Sequence, residues 1–347
     1  MTISARLHNQ GLLGNTFTSA QQLLSWMGSI QAQDYASAKW AIGARMPNET
    51  DASVTQAIND GKIVRTWLMR GTIHMVATED VRWMNTLTAP GNVVASTPRR
   101  QQLGFDERTI LRSHAILSVA LKGGKQRTRE ELYTLLEDKG ISTTDQRGYH
   151  LLWRAALDGV LCFAGQRFVA LDDWVPAQAP MERDQALGEL AKRYFQSRGP
   201  ATLKDFQWWS GLTASDAERG LDVIKAELEM HSHHGHQLWA MPGEPPAFQY
   251  HGAALPAFDE YLLGYKERGM VLDPLYNNRV CPPANGLFQP LMLIQGKVVG
   301  TWKRDSGKDI ITIKTEPFVA LNPKETRLFA LALEEFSKFH GKKIAVK

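Results

Sequence analysis

The stretch TTDQRGYHLLWRAALDGVLCFAGQRFVAL, residues 143–171, decides the fold because it changes from a helical to a strand pattern within one short segment. Apolar residues from Leu151 to Ala156 recur at the spacing of one helical face, which predicts an amphipathic helix. The following residues alternate about a turn at Ala164 and Gly165, which predicts a β-hairpin. A helix that runs directly into a hairpin is therefore expected.

The segment before it, RTREELYTLLEDKGIS (127–142), predicts another helix. Thr128 is a candidate N-cap, and Gly140 suits the end of the helix. Helix, helix, hairpin is the order of a winged helix. The fold class predicted from this order is mainly α with β wings, a tandem winged-helix of three repeats plus a C-terminal α+β unit with a β-hairpin.

The other two copies occur on either side. In the first, TSAQQLLSWMGSI and SVTQAINDG predict helices, and KIVRTWLM and TIHMVAT predict strands. In the third, three predicted helices precede a hairpin in MHSHHGHQLWAMPG. The predicted units are a first winged-helix unit, a second, a third and the C-terminal unit, at residues 1–115, 116–180, 181–245 and 246–347. Such units bind either nucleic acid or protein, so the fold alone leaves the function open.

Composition narrows the class of protein. The chain has 347 residues, 43% of them hydrophobic, and carries a net charge of +4, which permits a nucleic-acid partner without requiring one. Neither an apolar run of about 18 residues nor the apolar core of a secretion signal is present, so we expect a cytoplasmic protein. Cys162 and Cys281 lie far apart without CxxC spacing and are expected to be reduced.

A pair of glutamines lies in SIQAQDYASAKW, residues 29–40. Asp34 is a good N-cap for the helix that follows, so we expect a helix to end near Ile30 and an extended link to carry Gln31 and Gln33. Side chains two apart in an extended segment share one side, and both amides would then project together. The alternative is that they satisfy backbone groups at the helix ends.

Four stretches of the chain together resemble one known family. They are SIQAQDYASAKWAIGARM, IVRTWLMRGTIHMVATEDVRWM, LPAFDEYLLGYKER and NGLFQPLMLIQGKVVGTWKR. In this order, over about residues 5–335, they are similar to the signature stretches of the AlkZ-like winged-helix DNA glycosylases. The resemblance implies an enzyme that excises alkylated purines from double-stranded DNA, in some members including purines tethered in an interstrand crosslink.

The resemblance also implies which residues form the active site. The family's catalytic motif is glutamine, an apolar residue, then glutamine or aspartate, and it falls here on Gln31, Ala32 and Gln33. A threonine, apolar, histidine motif falls on Thr72 and His74, which are expected to line the site. For His74 the alternative is a histidine packed in the first wing.

Neutral amide side chains are suited to the excision of alkylated purines. Alkylation at N7 of guanine or N3 of adenine makes the base cationic, so it departs as a neutral molecule without a general acid. A fixed carbonyl can orient a water and stabilise an oxocarbenium-like sugar, the role expected of Gln33, while Gln31 positions the water or the sugar. Because no lysine or N-terminal amine lies near the motif, we expect simple hydrolysis to an abasic site.

Arginines and lysines supply candidate DNA contacts. Arg65 and Arg70, on the first wing, are candidate phosphate ligands, and their alternative is an ordinary surface role. The cluster KGGKQRTR, residues 122–129, can either bind phosphates or form a solvated turn. Its glycines lack the Walker spacing of a phosphate loop.

A C-terminal hairpin is a further DNA-binding candidate. Its predicted turn is formed by Gln295 and Gly296, and Lys297, Lys303 and Arg304 flank it. We expect this hairpin to probe the minor groove, or alternatively to face solvent.

No cofactor and no metal are expected. HSHHGH, residues 231–236, contains four histidines, but no paired Cys or His at zinc spacing occurs elsewhere. The expected partner is double-stranded DNA with an alkylated purine or crosslink, bound by a monomer associated with the nucleoid. The rival functions are a non-catalytic tandem winged-helix DNA-binding or regulatory protein and a protein-interaction scaffold.

Overall fold

The first segment of the chain is a group of short helices followed by a hairpin. The computed structural model describes residues 2–14, 17–233, 235–244, 247, 251–283, 286–307 and 309–347. The elements up to residue 77 are α1 (Thr2–Asn9), α2 (Ala20–Met27), β1 (Ile30–Gln31), α3 (Tyr35–Gly43), α4 (Asp51–Asn59), β2 (Ile63–Leu68) and β3 (Thr72–Ala77). Gly28, at a φ of 74°, follows the end of α2. The helices and strands predicted here from periodicity are confirmed.

The second segment repeats this order after a helical connection. Its elements are α5 (Val81–Ala95), α6 (Thr97–Gln102), α7 (Glu107–Leu121), α8 (Arg129–Asp138), α9 (Arg147–Leu157), β4 (Leu161–Ala164), β5 (Arg167–Ala170) and α10 (Leu171–Trp174). Thr128 forms a capping box with Glu131 at the start of α8. The predicted cap and the predicted hairpin are both confirmed.

The third segment contains another group of helices followed by a hairpin. Its elements are α11 (Arg183–Arg198), α12 (Leu203–Ser210), α13 (Ala214–Ile224), β6 (Glu229–His233) and β7 (His236–Ala240). Thr202 and Asp205 form a capping box at α12, and Gly211 ends the helix in the left-handed conformation. The helices and the hairpin therefore lie where periodicity predicted them.

The C-terminal segment consists of a sheet and a long helix. Its elements are β8 (Gly252–Leu255), α14 (Glu260–Leu263), α15 (Asn277–Val280), β9 (Leu291–Ile294), β10 (Lys297–Ser306), β11 (Ile310–Pro317), α16 (Pro323–His340) and β12 (Lys343–Val346). Asn322 caps α16 through a capping box with Glu325, and Pro323 is its first residue, both as the sequence indicates.

Two five-stranded sheets position these segments. One has the order β1-β3-β2-β4-β5, so the first two hairpins join in a single sheet through Arg65 of β2 opposite Phe163 of β4. The other has the order β12-β11-β10-β9-β8. This joining of the hairpins was not predicted, because local periodicity carries no information about which strands from different units pair.

The buried side chains also connect the segments. One core cluster contains Trp40 from α3, Trp67 from β2, and Trp302 and Phe336 from the C-terminal sheet and helix. The indole Nε1 of Trp40 donates 2.6 Å to the carbonyl of Ala254 in β8. The first segment is therefore packed against the C-terminal one, which brings β1 close to α14. In the described part of the chain, no helix has the length and apolar character needed to cross a membrane.

Candidate active site

The glutamine pair lies on a short extended link between α2 and α3. Ile30 and Gln31 pair with β3 opposite Met75 and His74, and Ala32 N donates 2.7 Å to a β3 carbonyl. Asp34 then caps α3, with its Oδ1 accepting a 2.6 Å hydrogen bond from Ser37 N. The extended link and the aspartate cap were both predicted, although α2 ends at Met27, three residues earlier than expected.

The two glutamines differ in exposure. Gln31 is only 8% exposed, and its Oε1 accepts a 3.2 Å hydrogen bond from Nη2 of Arg70. Gln33 is exposed. Both glutamines lie on the predicted link, but the partners of β1 enclose the first glutamine, while the second precedes the α3 cap at the surface.

Glu260 holds the backbone of Gln31. Its Oε1 accepts a 3.0 Å hydrogen bond from Gln31 N, and its Oε2 accepts from Arg198 Nη2 at 2.6 Å and Trp209 Nε1 at 3.0 Å. Burial would raise the pKa of Glu260, but the charge and hydrogen bonds of Arg198 bring it below its ordinary value. The carboxylate is therefore ionised, and its oxygens are occupied by these donors.

Arg70 holds the side chain of Gln31. Besides its bond to that glutamine, it donates through Nη1 to the carbonyls of Trp208, at 3.2 Å, and of Trp209. Burial lowers the pKa of Arg70 below its ordinary value, and Glu260 opposes this effect. Arg70, considered from the sequence as a candidate phosphate ligand, therefore has its hydrogen-bond partners within the protein.

Arg65 holds the residue between the two glutamines. Its Nε donates 3.1 Å to the carbonyl of Ala32, and its guanidinium lies 4.6 Å from the ring centre of Phe163 and 5.6 Å from that of Tyr35. Burial lowers its pKa to about 10, and the charge of Arg129 contributes in the same direction. With 8% exposure, Arg65 positions the link, which corrects its predicted role as a phosphate ligand.

Thr72 and His74 lie on β3 beside Gln31. His74 is fully buried, and its Nδ1 lies 2.9 Å from the carbonyl of Thr72, so that nitrogen carries the proton. Burial lowers the pKa of His74 to about 4, aided by the charge of Arg70, so the ring is neutral at pH 7. Its Nε2 and Thr72 Oγ1 are buried without a hydrogen-bond partner among the described residues.

The hairpin turn at Gln295 and Gly296 lies against the protein. Gly296 is buried, and a Cβ placed on it would overlap Ile3 of α1 and come 3.1 Å from Tyr261 Oη. Lys297 Nζ donates 2.5 Å to a backbone carbonyl. The minor-groove role predicted for this turn is therefore corrected, since the turn packs on α1 and α14.

The other two cations of this hairpin differ in their surroundings. Lys303 is exposed and lies 3.4 Å from Glu316. Arg304 is partly buried, with its guanidinium 5.7 Å from the ring centre of Phe336. Burial lowers the pKa of Arg304, and the charge of Asp34 opposes this effect.

Sequence reasoning missed the acidic residues that organise the site. Asp259 forms two 2.9 Å hydrogen bonds with Arg45, at the end of α3, and both side chains are fully buried. The adjacent Glu260 holds the backbone of Gln31, so the two acids anchor the start of the glutamine link and the far end of α3, the helix that follows it. The available signal was the pair of acids within the apolar run LPAFDEYLLGY, since a buried acid requires a partner.

The site offers one neutral amide at Gln31, held by Arg70 and Glu260, and a second, exposed amide at Gln33. Among the described residues, no group of three or more His, Cys, Asp or Glu side chains could hold a metal ion. His231, His233 and His236 of the histidine cluster lie on β6 and β7, and residue 234 is outside the described residues.

Three comparisons with known proteins lead to the same family. Residues 24–339 match the family described as DNA glycosylase AlkZ-like. A protein of Streptomyces sahachiroi named interstrand DNA cross-link repair glycosylase is 27% identical, covering 95% of this chain and 92% of its own length. The solved structure of Streptomyces sahachiroi DNA glycosylase AlkZ superposes with a TM-score of 0.81 at 22% identity, over 99% of this chain and 98% of that one.

Proposed function

Because the chain belongs to the AlkZ-like family of DNA glycosylases, we propose that it hydrolyses the N-glycosidic bond of cationic N-alkylated purines in double-stranded DNA. N7-alkylguanine and N3-alkyladenine are the proposed lesions, and an abasic site is the product. The observation that carries this proposal is the neutral amide of Gln31, fixed by Arg70 next to the exposed amide of Gln33, with the nearby carboxylate of Glu260 occupied by protein donors.

The buried groups around the pair support a reaction without a general acid. His74 is neutral and fully buried, and Glu260 is ionised and 1% exposed, so neither donates a proton to a leaving base. A base that is already cationic needs no such proton. Gln33 orients the attacking water and stabilises the oxocarbenium-like sugar, through positioning and electrostatics.

The three helix-and-hairpin segments are proposed to be winged-helix units at residues 1–115, 116–180 and 181–245, followed by a C-terminal α+β unit at residues 246–347. Support comes from the repeated order of elements and from the capped helices. We propose that a monomer places these units along one duplex in the nucleoid, within the cytoplasm. Lys303 remains a proposed DNA contact, since it is exposed.

Crosslinked purines are proposed as substrates too. A base joined to the opposite strand cannot be fully extruded from the duplex, so an enzyme acting on it must offer its catalytic group at an open surface. The exposure of Gln33 fits such an approach. The Streptomyces relative whose name includes cross-link repair adds support.

The test is base release from a duplex with a single N7-methylguanine, measured as alkali-labile strand breaks. The wild type should release the base, whereas Gln33→Ala should lose the activity while keeping its folded signal and its duplex affinity. Gln101→Ala, which truncates an exposed glutamine on α6, is the matched control and should behave as the wild type.

The other outcomes are also informative. If the methylated duplex stays intact, a nitrogen-mustard crosslinked duplex is tested next with the same variants. Tight duplex binding without release from either substrate would contradict the proposal and favour the non-catalytic DNA-binding function.

A further inference from the structure

The contact between Arg70 and Gln31 determines which end of the carboxamide is occupied. A guanidinium has only donors, so the atom that lies 3.2 Å from Arg70 Nη2 must be the carbonyl oxygen of Gln31, Oε1. This conclusion holds even though the oxygen and nitrogen of an amide are nearly alike in shape. The carbonyl of Gln31 therefore faces the protein interior, and its amide N–H groups are left for another acceptor.

Arg70 is itself fixed. Its Nη1 donates to the carbonyls of Trp208 and Trp209 in the last turn of α12, where backbone carbonyls lack helical partners and the helix dipole favours a cation. Gly211 allows this approach, because a Cβ there would come 3.0 Å from Arg70 Cγ. The guanidinium is thus held by α12 before it reaches the glutamine.

The backbone around Gln31 is held independently of its side chain. Glu260 accepts from its N–H, and Arg65 donates to the carbonyl of Ala32. With both backbone neighbours anchored, the orientation of the carboxamide is the remaining freedom, and Arg70 removes it.

We propose that Arg70 is a positioning residue that makes Gln31 the hydrogen-bond donor of the glutamine pair and leaves Gln33 as its acceptor. Gln31 donates to an oxygen at the lesion, belonging to the water or the sugar. Gln33 presents its carbonyl to the water and to the developing positive charge. This inference rests on the proposed base-release activity.

The test is a pair of isosteric substitutions, Gln31→Glu and Gln33→Glu, in single-turnover base release from the N7-methylguanine duplex at saturating enzyme. Gln31→Glu keeps an oxygen for Arg70 but removes both N–H donors, so we expect a rate loss of about 100-fold or more, comparable with the loss of an oxyanion-hole donor. Gln33→Glu keeps an acceptor, so we expect a rate within about tenfold of the wild type. Thermal unfolding is measured on both variants, and neither Tm should fall.

A second pair of variants tests Arg70 directly. Arg70→Met should lower kcat while leaving KM nearly unchanged, and Arg70→Lys should recover part of kcat because it still donates to the carbonyl of Gln31. A purely structural role would lower Tm and raise KM together, without recovery by lysine.

The outcomes separate the two proposals. If the wild type releases no base from methylated or crosslinked duplex, the proposed activity is wrong. If the wild type is active and Gln31→Glu matches or exceeds its rate, the activity stands and the donor assignment is wrong, since a carboxylate would then be replacing a carbonyl that faces the substrate.

Discussion

The backbone N–H of Gln31 donates a 3.0 Å hydrogen bond to Oε1 of Glu260, although 229 positions separate the two residues in the chain. The same carboxylate pairs with Arg198 of α11, and the exposed fractions of these side chains are 1% and 0%. Three segments that are distant in the chain thus meet at Gln31, the candidate catalytic residue. The ion pair between Glu260 and Arg198 joins them.

Glu260→Gln should destabilise the fold and reduce base release together. The substitution leaves the guanidinium of Arg198 buried without a counter-charge, which costs about 3–5 kcal/mol in the free energy of unfolding. Urea denaturation measures this change. Asp184→Asn, which breaks the exposed pair with Arg219, is the control and should leave stability nearly unchanged. Equal stability of the two variants would show that the buried pair does not anchor the site.

His74→Gln should weaken the pH dependence of stability between about pH 6.5 and 4. The folded pKa of His74 is lowered from 6.5 to about 4, so as the pH falls through this window the unfolded state binds a proton that the folded state does not. Stability is therefore lost on acidification, by at most about 3 kcal/mol from this residue. Denaturation of both proteins across the window measures the difference.

His340 is a second histidine that titrates in the same direction. Burial lowers its pKa to about 4, with the charge of Arg304 contributing, so the His74 variant should retain part of the acid sensitivity. A variant with the same pH profile as the wild type would contradict the buried, neutral assignment of His74.

Lesion charge should decide substrate range. Uracil and hypoxanthine leave as anions unless they are protonated, and the buried neutral His74 and ionised Glu260 supply no proton. We expect base release from N7-methylguanine to exceed release from uracil by about 1,000-fold or more, a barrier difference of roughly 4 kcal/mol. Duplexes identical except for the lesion provide the comparison. Comparable rates on uracil would contradict a mechanism that relies on neutral amides.

The basic loop of residues 122–129 should contribute to DNA affinity. Asp173 Oδ2 accepts from Gly123 N at 2.9 Å and Gly124 N at 3.0 Å, which fixes the loop but also occupies the two amides. Lys122, Lys125 and Arg129 are exposed, and Arg129 is close enough to Arg65 to affect its pKa.

Changing Lys122, Lys125 and Arg129 to glutamine should reduce the slope of log K against log salt by about 1 for each DNA phosphate that the variant no longer neutralises. Titrations of undamaged duplex at several salt concentrations measure the slope. The control is the same removal of charge at three exposed positions of the C-terminal segment: Arg327, Lys343 and Lys347. An equal effect of both triple variants would indicate only general electrostatic attraction.

Local chemistry explains what could be predicted from the sequence. The caps at Asp34, Thr128 and Asn322 depend on side chains that bond the backbone within three residues, so composition at those positions was sufficient. Hairpins and helices followed from periodicity in the same way. The glutamine motif came instead from the family resemblance, which could be recognised because the motif lies within one continuous stretch, and its catalytic role stays a prediction.

The roles of the residues that hold the glutamine link could not be predicted from local patterns. Every residue of β2 is buried, because β2 is the central strand of its sheet and is covered on both faces, so Arg65 has no surface role despite its charge. Arg70 and Glu260 find their partners across distances of 39 and 229 residues. Such partners depend on how the segments pack, which no local spacing encodes.

The shared sheet of the first two segments limits how this chain could have been assembled from repeats. A fragment ending at residue 115 would lack β4 and expose the edge of β2, a fully buried strand that could then pair with another copy and aggregate. The first two segments therefore depend on each other for a complete sheet, and removal of either one would leave an inner strand edge of the other unpaired.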